Sequence, residues 1–290
     1  MAKDIWTSSR LKAYQTCPMK EALRYRQKLV PAGRKMSLSI GTAVHKGIEM
    51  WDEDAGIEAL AFPFPSTQEE ADEQEIARVT VLALLRGYFQ TFEPFEKHRP
   101  ELSFELPMRT GRLNSSRKYA IAGKIDDIAT VGGHNWIVEY KTASKLDASY
   151  FDRLYVDSQI TMYMAAAERL GLQPVGVLYR ILRKPQIRRG KTESIEQFLN
   201  RLEADIGARP EFYFMERKLY RSKDDLVDFE KMIYEEAKLA DNMAGKGCTY
   251  KHSTACSVYG GCEYLPLCMG EAGAEALYET REPHEELKGE

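Results

Sequence analysis

Two hydrophobic periods follow one another along the chain. Residues 8–16, "SSRLKAYQT", read as a short helix capped by Ser8 or Ser9 and stopped at the Cys17-Pro18 step. In "GTAVHKGIEMW" (41–51), Val44, Ile48 and Trp51 recur at helical spacing, with His45 and Glu49 on an adjoining stripe. Residues 55–75 carry Pro63, Pro65 and a charge run, which predicts a surface insertion ahead of a helix over 76–92. The period then shortens to two. "LSFELPM" (102–108), "YAIAGKIDDIATV" (119–131), "WIVEYKT" (136–142) and "VGVLYRILR" (175–183) read as strands. Gly132-Gly133-His134-Asn135 turns a hairpin between the second and third. A helix over 152–170 ends at Gly171, and a strand over 211–220 precedes a helix starting at Ser222. Helices flanking a mixed sheet give an α/β or α+β chain. The expected organisation is one domain over 1–290, with a cysteine-rich region at 248–268 and a polar tail at 270–290.

At 290 residues the chain can bury a substantial core. Its apolar runs fall short of a membrane span and no charged-then-apolar signal opens it, so a cytoplasmic protein without membrane contact is expected. The net charge of −3 hides an uneven distribution. Ten acidic residues and no Lys or Arg lie between Glu49 and Glu75, whereas "RILRKPQIRRGK" (180–191) holds six basic residues and no acid. "KEALRYRQKLVPAGRK" (20–35) adds a second basic stretch. Each run alone reads as solvated surface, yet local positive patches on a mildly acidic protein are compatible with polyanion binding. Of the five cysteines, Cys248, Cys256, Cys262 and Cys268 crowd into the last 43 residues and Cys17 stands alone near the start. In a reducing compartment that pattern suggests metal ligation or buried packing rather than disulfides.

The strand "NWIVEYKTAS" (135–144) poses the chemical question. Alternation sends Trp136, Val138 and Tyr140 to one face and Ile137, Glu139 and Lys141 to the other. Glu-x-Lys begins at Glu139, Glu216, Glu236 and Glu286, but only Glu139 has acidic residues across a predicted hairpin, the Asp126-Asp127 pair. Those two aspartates fall on opposite faces, and periodicity does not choose between them. Carboxylates from adjacent strands make a hard oxygen site suited to Mg²⁺ or Mn²⁺. A nearby ammonium can orient water and offset charge on an attacked phosphate. The bland alternative is an exposed cross-strand ion pair, worth under about 1 kcal/mol. Gln159 and Tyr163, four apart, share a helix face, and His45 is either a ligand or a packed histidine.

Taken in order, "SSRLKAYQTCPMKEALRY", "GTAVHKGIE", "GKIDD", "IVEYKT" and "QITMY" resemble the RecB-type exonucleases of the PD-(D/E)XK superfamily. The likeness is to the cysteine-bearing branch with the CRISPR-associated adaptation nuclease and the AddB nuclease domain, and it runs from about residue 8 to 268. It implies an α/β, restriction-endonuclease-like fold whose mixed central sheet is flanked by helices and whose ends are joined by a Cys-ligated cluster. It also implies that His45, Asp126 and Glu139 hold Mg²⁺ or Mn²⁺ with the Tyr140 carbonyl, choosing Asp126 over Asp127. Lys141 would position the water nucleophile and polarise the scissile phosphate. Gln159 and Tyr163 would orient the site and touch the DNA backbone. Cys17, Cys256, Cys262 and Cys268 would bind a 4Fe-4S cluster, with zinc as the lesser alternative and Cys248 unligated. The implied substrate is DNA, as single strands or duplex ends, tracked by the stretches at 20–35 and 180–191 with Tyr14, Tyr25 and Tyr179 available for stacking. Two rival readings are a nuclease-like DNA-binding or assembly subunit with weak hydrolysis, and a zinc protein whose motif matches are accidental.

Overall fold

A computed structural model describes residues 3–32, 36–60, 62–110, 114–284 and 287. A short strand, β1 (Asp4–Trp6), leads into helix α1 (Ser8–Thr16). The cap of α1 is Thr7, not a serine: its side chain accepts the Arg10 backbone N–H at 3.2 Å. Pro18 disfavours helical backbone at the preceding residue, and Cys17 is extended there (φ −163°). Helix α2 (Pro18–Glu21) follows, then a single π turn at Ala22–Arg26 and strand β2 (Leu29–Pro31). The buried Arg10 guanidinium ties this segment together, 2.8 Å from Glu21 and 4.5 Å from the Trp6 ring.

Helices α3 (Met36–Met50), α4 (Glu53–Glu58) and α5 (Gln68–Thr91) come next. The predicted insertion is therefore partly helical, and α5 starts earlier than residue 76. Its first turns are exposed and carry no apolar stripe, so periodicity missed them. The terminal chemistry is nonetheless present, with Thr67 accepting the Glu70 N–H at 3.1 Å and Glu69 and Glu70 in the first turn.

Strands β3 (His98–Arg109), β4 (Ser115–Val131) and β5 (His134–Ala143) form a meander. The hairpin turn is Gly132-Gly133, both at positive φ (+59° and +78°). The helix expected over 152–170 is instead two, α6 (Ala148–Leu154) and α7 (Ser158–Arg169). Asp157 breaks the run and caps α7, accepting the Gln159 N–H at 2.8 Å. Strand β6 (Gly176–Arg183), helices α8 (Ile195–Ala208) and α9 (Pro210–Tyr213), strand β7 (Phe214–Leu219) and helix α10 (Lys223–Gly245) complete the body. The strand predicted over 211–220 thus begins as one helical turn. Helix α11 (Leu265–Met269) and strand β8 (Tyr278–Thr280) lie in the C-terminal segment, where β8 pairs antiparallel with β2.

The main sheet is mixed. β4 runs antiparallel to β3 and β5 and parallel to β1, β5 is parallel to β6, and β6 is antiparallel to β7. One face, with Ile121, Ile125, Ile137 and Val177, packs on α1, α7 and α10. The other, with Trp136, Val138 and Tyr140, packs on α3, α5 and α8. The chain is therefore a mixed α/β structure with helices on both faces of a central sheet, and β5 splits its side chains between them as its alternation predicts. No described helix is long and apolar enough to cross a membrane.

Candidate active site

The site lies where the sheet opens. β3 runs along one edge of β4, so β1 and β5 share the other, β1 at Tyr119–Ile121 and β5 at Asp127–Val131. Between them, residues 122–126 have no strand partner on that edge. Continued by one pair, the β4–β5 ladder would set Asp126 opposite Glu139. Instead the Asp126 carboxylate enters the gap and accepts the Tyr140 backbone N–H at 2.9 Å. Ile125 and Ile128, three residues apart, both reach the α7 face, so alternation along β4 breaks across the two aspartates. The two then diverge. Asp127 is buried and accepts from His98 Nδ1 at 2.9 Å and from the Arg99 N–H at 3.1 Å. Asp126 faces His45 on α3, Oδ2 to Nδ1 3.5 Å.

Glu139 projects toward α7. It is 1% exposed, and burying an ionised carboxylate costs several kcal/mol unless partners repay it. Its Oε1 pairs with the Lys141 ammonium and accepts from Gln159 Nε2 at 2.8 Å. Gln159 also donates to the Tyr163 hydroxyl at 3.2 Å, which the i, i+4 spacing on α7 allows. The other oxygen, Oε2, is buried with no hydrogen-bond partner among the described residues. Burial, and then the nearby Asp126 charge, push the Glu139 carboxyl up to about 7 against the pull of Lys141. The Lys141 amine holds its proton more tightly than usual: burial opposes this, but Glu139 and Asp126 outweigh it. His45 behaves likewise, raised by Asp126 against the effect of burial.

His45, Asp126, Glu139, Lys141, Gln159 and Tyr163, drawn from four elements, are thus linked by charge and hydrogen bonds, with His45 and Asp126 lining a pocket and Glu139 itself buried. Tyr140 contributes its N–H to Asp126, while its ring turns to the other face, 6.1 Å from His45 and 6.2 Å from Tyr88. Two further acids line the pocket: Glu49, which helical spacing had placed on a stripe with His45 but without a role, and Glu101, which periodicity did not mark. Glu101 falls between the Pro100–Asp127 and Leu102–Ile125 pairs of the β3–β4 register at a left-handed φ of +53°, and no sequence signal flags such a backbone.

Among the described residues, no group of three or more His, Cys, Asp or Glu side chains stands preassembled around a metal position. The donor chemistry nevertheless fits a hard divalent ion. Two carboxylates and an imidazole border the opening, and an unpartnered buried carboxylate oxygen is the atom a cation would satisfy.

The cysteines form a second grouping. Burial raises the Cys268 thiol, Lys251 lowers it, and Cys17, Cys262 and Cys256 raise it further, but among the described residues no three of these thiols stand together around a metal position. Cys17 Sγ accepts the His252 N–H at 3.3 Å, and the Cys262 N–H donates to the Cys256 carbonyl at 2.9 Å. Cys248 is exposed, its Sγ 3.6 Å from the Met243 carbonyl.

Part of the expected DNA-tracking set is occupied. Tyr14, Tyr25 and Tyr179 are buried, so none offers a free stacking face. Lys20 pairs with Glu263, Arg26 with Glu21 and Lys28 with Glu282. Arg34 and Lys35 lie outside the described residues. Arg180 is buried against Phe92 and Phe95 and pairs with Glu216.

The sequence profile of the PD-(D/E)XK nuclease superfamily matches residues 5–269. Among solved structures, a presumed exonuclease from Eubacterium rectale aligns with a TM-score of 0.50 at 11% identity, over 91% of this chain and 87% of its own. That likeness is one of fold. The structure of SSO0001 covers 80% of this chain and 85% of its own at 11% identity, but its TM-score of 0.29 carries no argument. No curated protein sequence matches the chain. With all but its two ends inside the family profile, the chain belongs to the PD-(D/E)XK nuclease superfamily.

Proposed function

We propose that the chain is a metal-dependent DNA exonuclease of the RecB type, hydrolysing phosphodiester bonds in single strands or at duplex ends during repair, recombination or CRISPR adaptation. The observation that carries this reading is Glu139, a carboxylate buried beside Lys141 with one oxygen left unpartnered. A stability-driven strand would not keep it. On this reading residues 1–290 serve as one nuclease domain, acting in the cytoplasm.

His45, Asp126 and Glu139, with the Tyr140 carbonyl, are the groups that would hold Mg²⁺ or Mn²⁺. When bound, the ion supplies Lewis acidity toward the scissile phosphate and lowers the pKa of water. The chain's own groups do the rest. Lys141, kept protonated by its two carboxylate neighbours, sets a fixed positive charge where the phosphate gains negative charge. Gln159 locks the Glu139 rotamer, and Tyr163 in turn orients the Gln159 amide. The family pattern also assigns a 4Fe-4S cluster to Cys17, Cys256, Cys262 and Cys268, and the Cys17 Sγ contact with the His252 N–H, which brings Cys17 to the cysteine-rich segment, is compatible with it.

The test is digestion of end-labelled single- and double-stranded DNA with Mg²⁺ or Mn²⁺. The wild-type chain is expected to shorten the label, and Lys141→Ala to do so at least about 100-fold more slowly. Equal digestion by both would contradict the assigned centre. DNA binding without cleavage by the wild type would favour the rival of a catalytically weak subunit.

A further inference from the structure

The geometry points to a single-stranded DNA track on the β6–β7 side of the site, in which Arg183 and Arg217 hold backbone phosphates and the rings around them form a stacking platform. This rests on the nuclease reading above and names its substrate form. Register supplies the placement. Glu139 lies beside Tyr179, and Tyr179 beside Arg217, so Arg217 occupies the Glu139 row on the same face of the sheet, two strands away. At the spacing of neighbouring strands this is about 10 Å, a distance suited to phosphates next to the scissile one. Lys141 lies beside Ile181, and Arg183 follows two residues later on that face, about 7 Å further along β6.

These arginines differ from others on the surface. Arg86, Arg201 and Arg209 are each bonded to carboxylates. Among the described residues Arg183 and Arg217 have no carboxylate partner and rest on aromatic rings, Arg183 at 4.1 Å from Phe212, a ring that the carboxylate-bound Arg209 also approaches at 4.6 Å, and Arg217 at 4.8 Å from Phe151. Arg153 stacks in the same way at 5.5 Å from Tyr150, beside Phe151 on α6. Phe212 is 40% exposed. Of the acids nearby on α6 and its cap, Asp147 is tied to Ser149 and to the Tyr150 N–H, leaving Asp152. Arg183 spends its Nε on the Phe212 carbonyl at 3.0 Å and Arg217 one Nη on the Glu216 carbonyl at 3.2 Å, so the remaining guanidinium donors are the ones offered to phosphate, and the rings give bases a sequence-tolerant surface. Duplex DNA buries its base faces and cannot use that surface, so the occupant is a single strand.

The experiment measures binding of a fluorescent oligo-thymidine strand to the full chain over a salt series, without divalent ion. Each phosphate contact adds about 0.7 to the slope of log affinity against log salt for a single strand, so the double variant Arg183→Gln/Arg217→Gln should lose about 1.4. Arg201→Gln, which removes the same charge from α8 on the opposite face, should leave the slope unchanged. The variants' melting temperatures show whether they fold. An unchanged slope in the folded double variant, an equal loss in Arg201→Gln, or no strand binding by the wild type overturns the track. If the wild type cuts DNA while the slope stays fixed, only the track fails. If the slope falls but no cleavage occurs under Mg²⁺ or Mn²⁺, the track stands and the nuclease reading fails.

Discussion

At the residue scale, Glu139 shows how a site departs from what folding alone would choose. Its carboxylate is buried close to another, Asp126, and among the described residues only one of its oxygens is bonded. Ionising such a group costs folded stability, since the unfolded chain ionises it at its ordinary value of 4.5 and the folded chain only near 7. In that interval the native state binds the extra proton, so the metal-free protein should lose stability as pH rises from about 4.5 to about 7. Glu139→Gln should lack that component and melt higher than wild type at pH 8, with the gap closing toward pH 5; parallel melting curves across the range would refute this. The polar pair was legible in the sequence because a strand that should bury apolar residues carried Glu139 and Lys141 on one face. Between Asp126 and Asp127 periodicity could not choose, and the resemblance pointed to Asp126; what separates them physically is a break in alternation that exists only where β5 leaves β4.

At the element scale, the site depends on close approach between β4 and α7. A Cβ built on Gly123 would meet the Phe104 ring at 2.8 Å and the Tyr163 ring at 3.0 Å. Replacing a strand glycine ordinarily gains about 0.5–1 kcal/mol from the unfolded chain. Overpacking here costs about 1–3 kcal/mol, so Gly123→Ala should be net destabilising. It should also slow cleavage, because Tyr163 must shift and it orients Gln159. An Ala variant with wild-type melting and rate would show that the approach is not tight. Strands β3 to β7 were readable from period two and from the glycine turn. Helix ends were less so: the polar start of α5 hides from any apolar period, and the break at Asp157 looks like continuous helix until its capping bonds are seen. Tyr14 and Tyr25 looked available for DNA, but α1 and the turn after α2 bury them.

At the scale of the whole molecule, several contacts tie the N-terminal segment to the C-terminal one. β2 pairs with β8, Lys20 pairs with Glu263 and Lys28 with Glu282, and Cys17 Sγ accepts the His252 N–H, on the approach to the cysteines of 256–268. A cluster bridging them would close a very long loop, and its binding energy would add to folding. Anaerobically purified protein should therefore be brown and contain iron and acid-labile sulfide in equal amounts. Cys17→Ser should lose both and melt lower, whereas Cys248→Ser should match wild type. Colourless wild-type protein with one bound zinc would assign the thiols to zinc instead. The crowding of cysteines suggested metal ligation or buried packing, and the family resemblance supplied the proposed set of four. Composition gave no hint that the basic N-terminal stretch is largely neutralised by acids from α10 and the C-terminal segment.

The central claim is that Asp126 and Glu139 share one divalent ion. Titration of the full chain with Mn²⁺, followed by electron paramagnetic resonance, tests it without reference to DNA. The account predicts a bound-ion signal that saturates in the wild type and is lost in Asp126→Asn/Glu139→Gln. Undiminished Mn²⁺ binding by the folded double variant would contradict it.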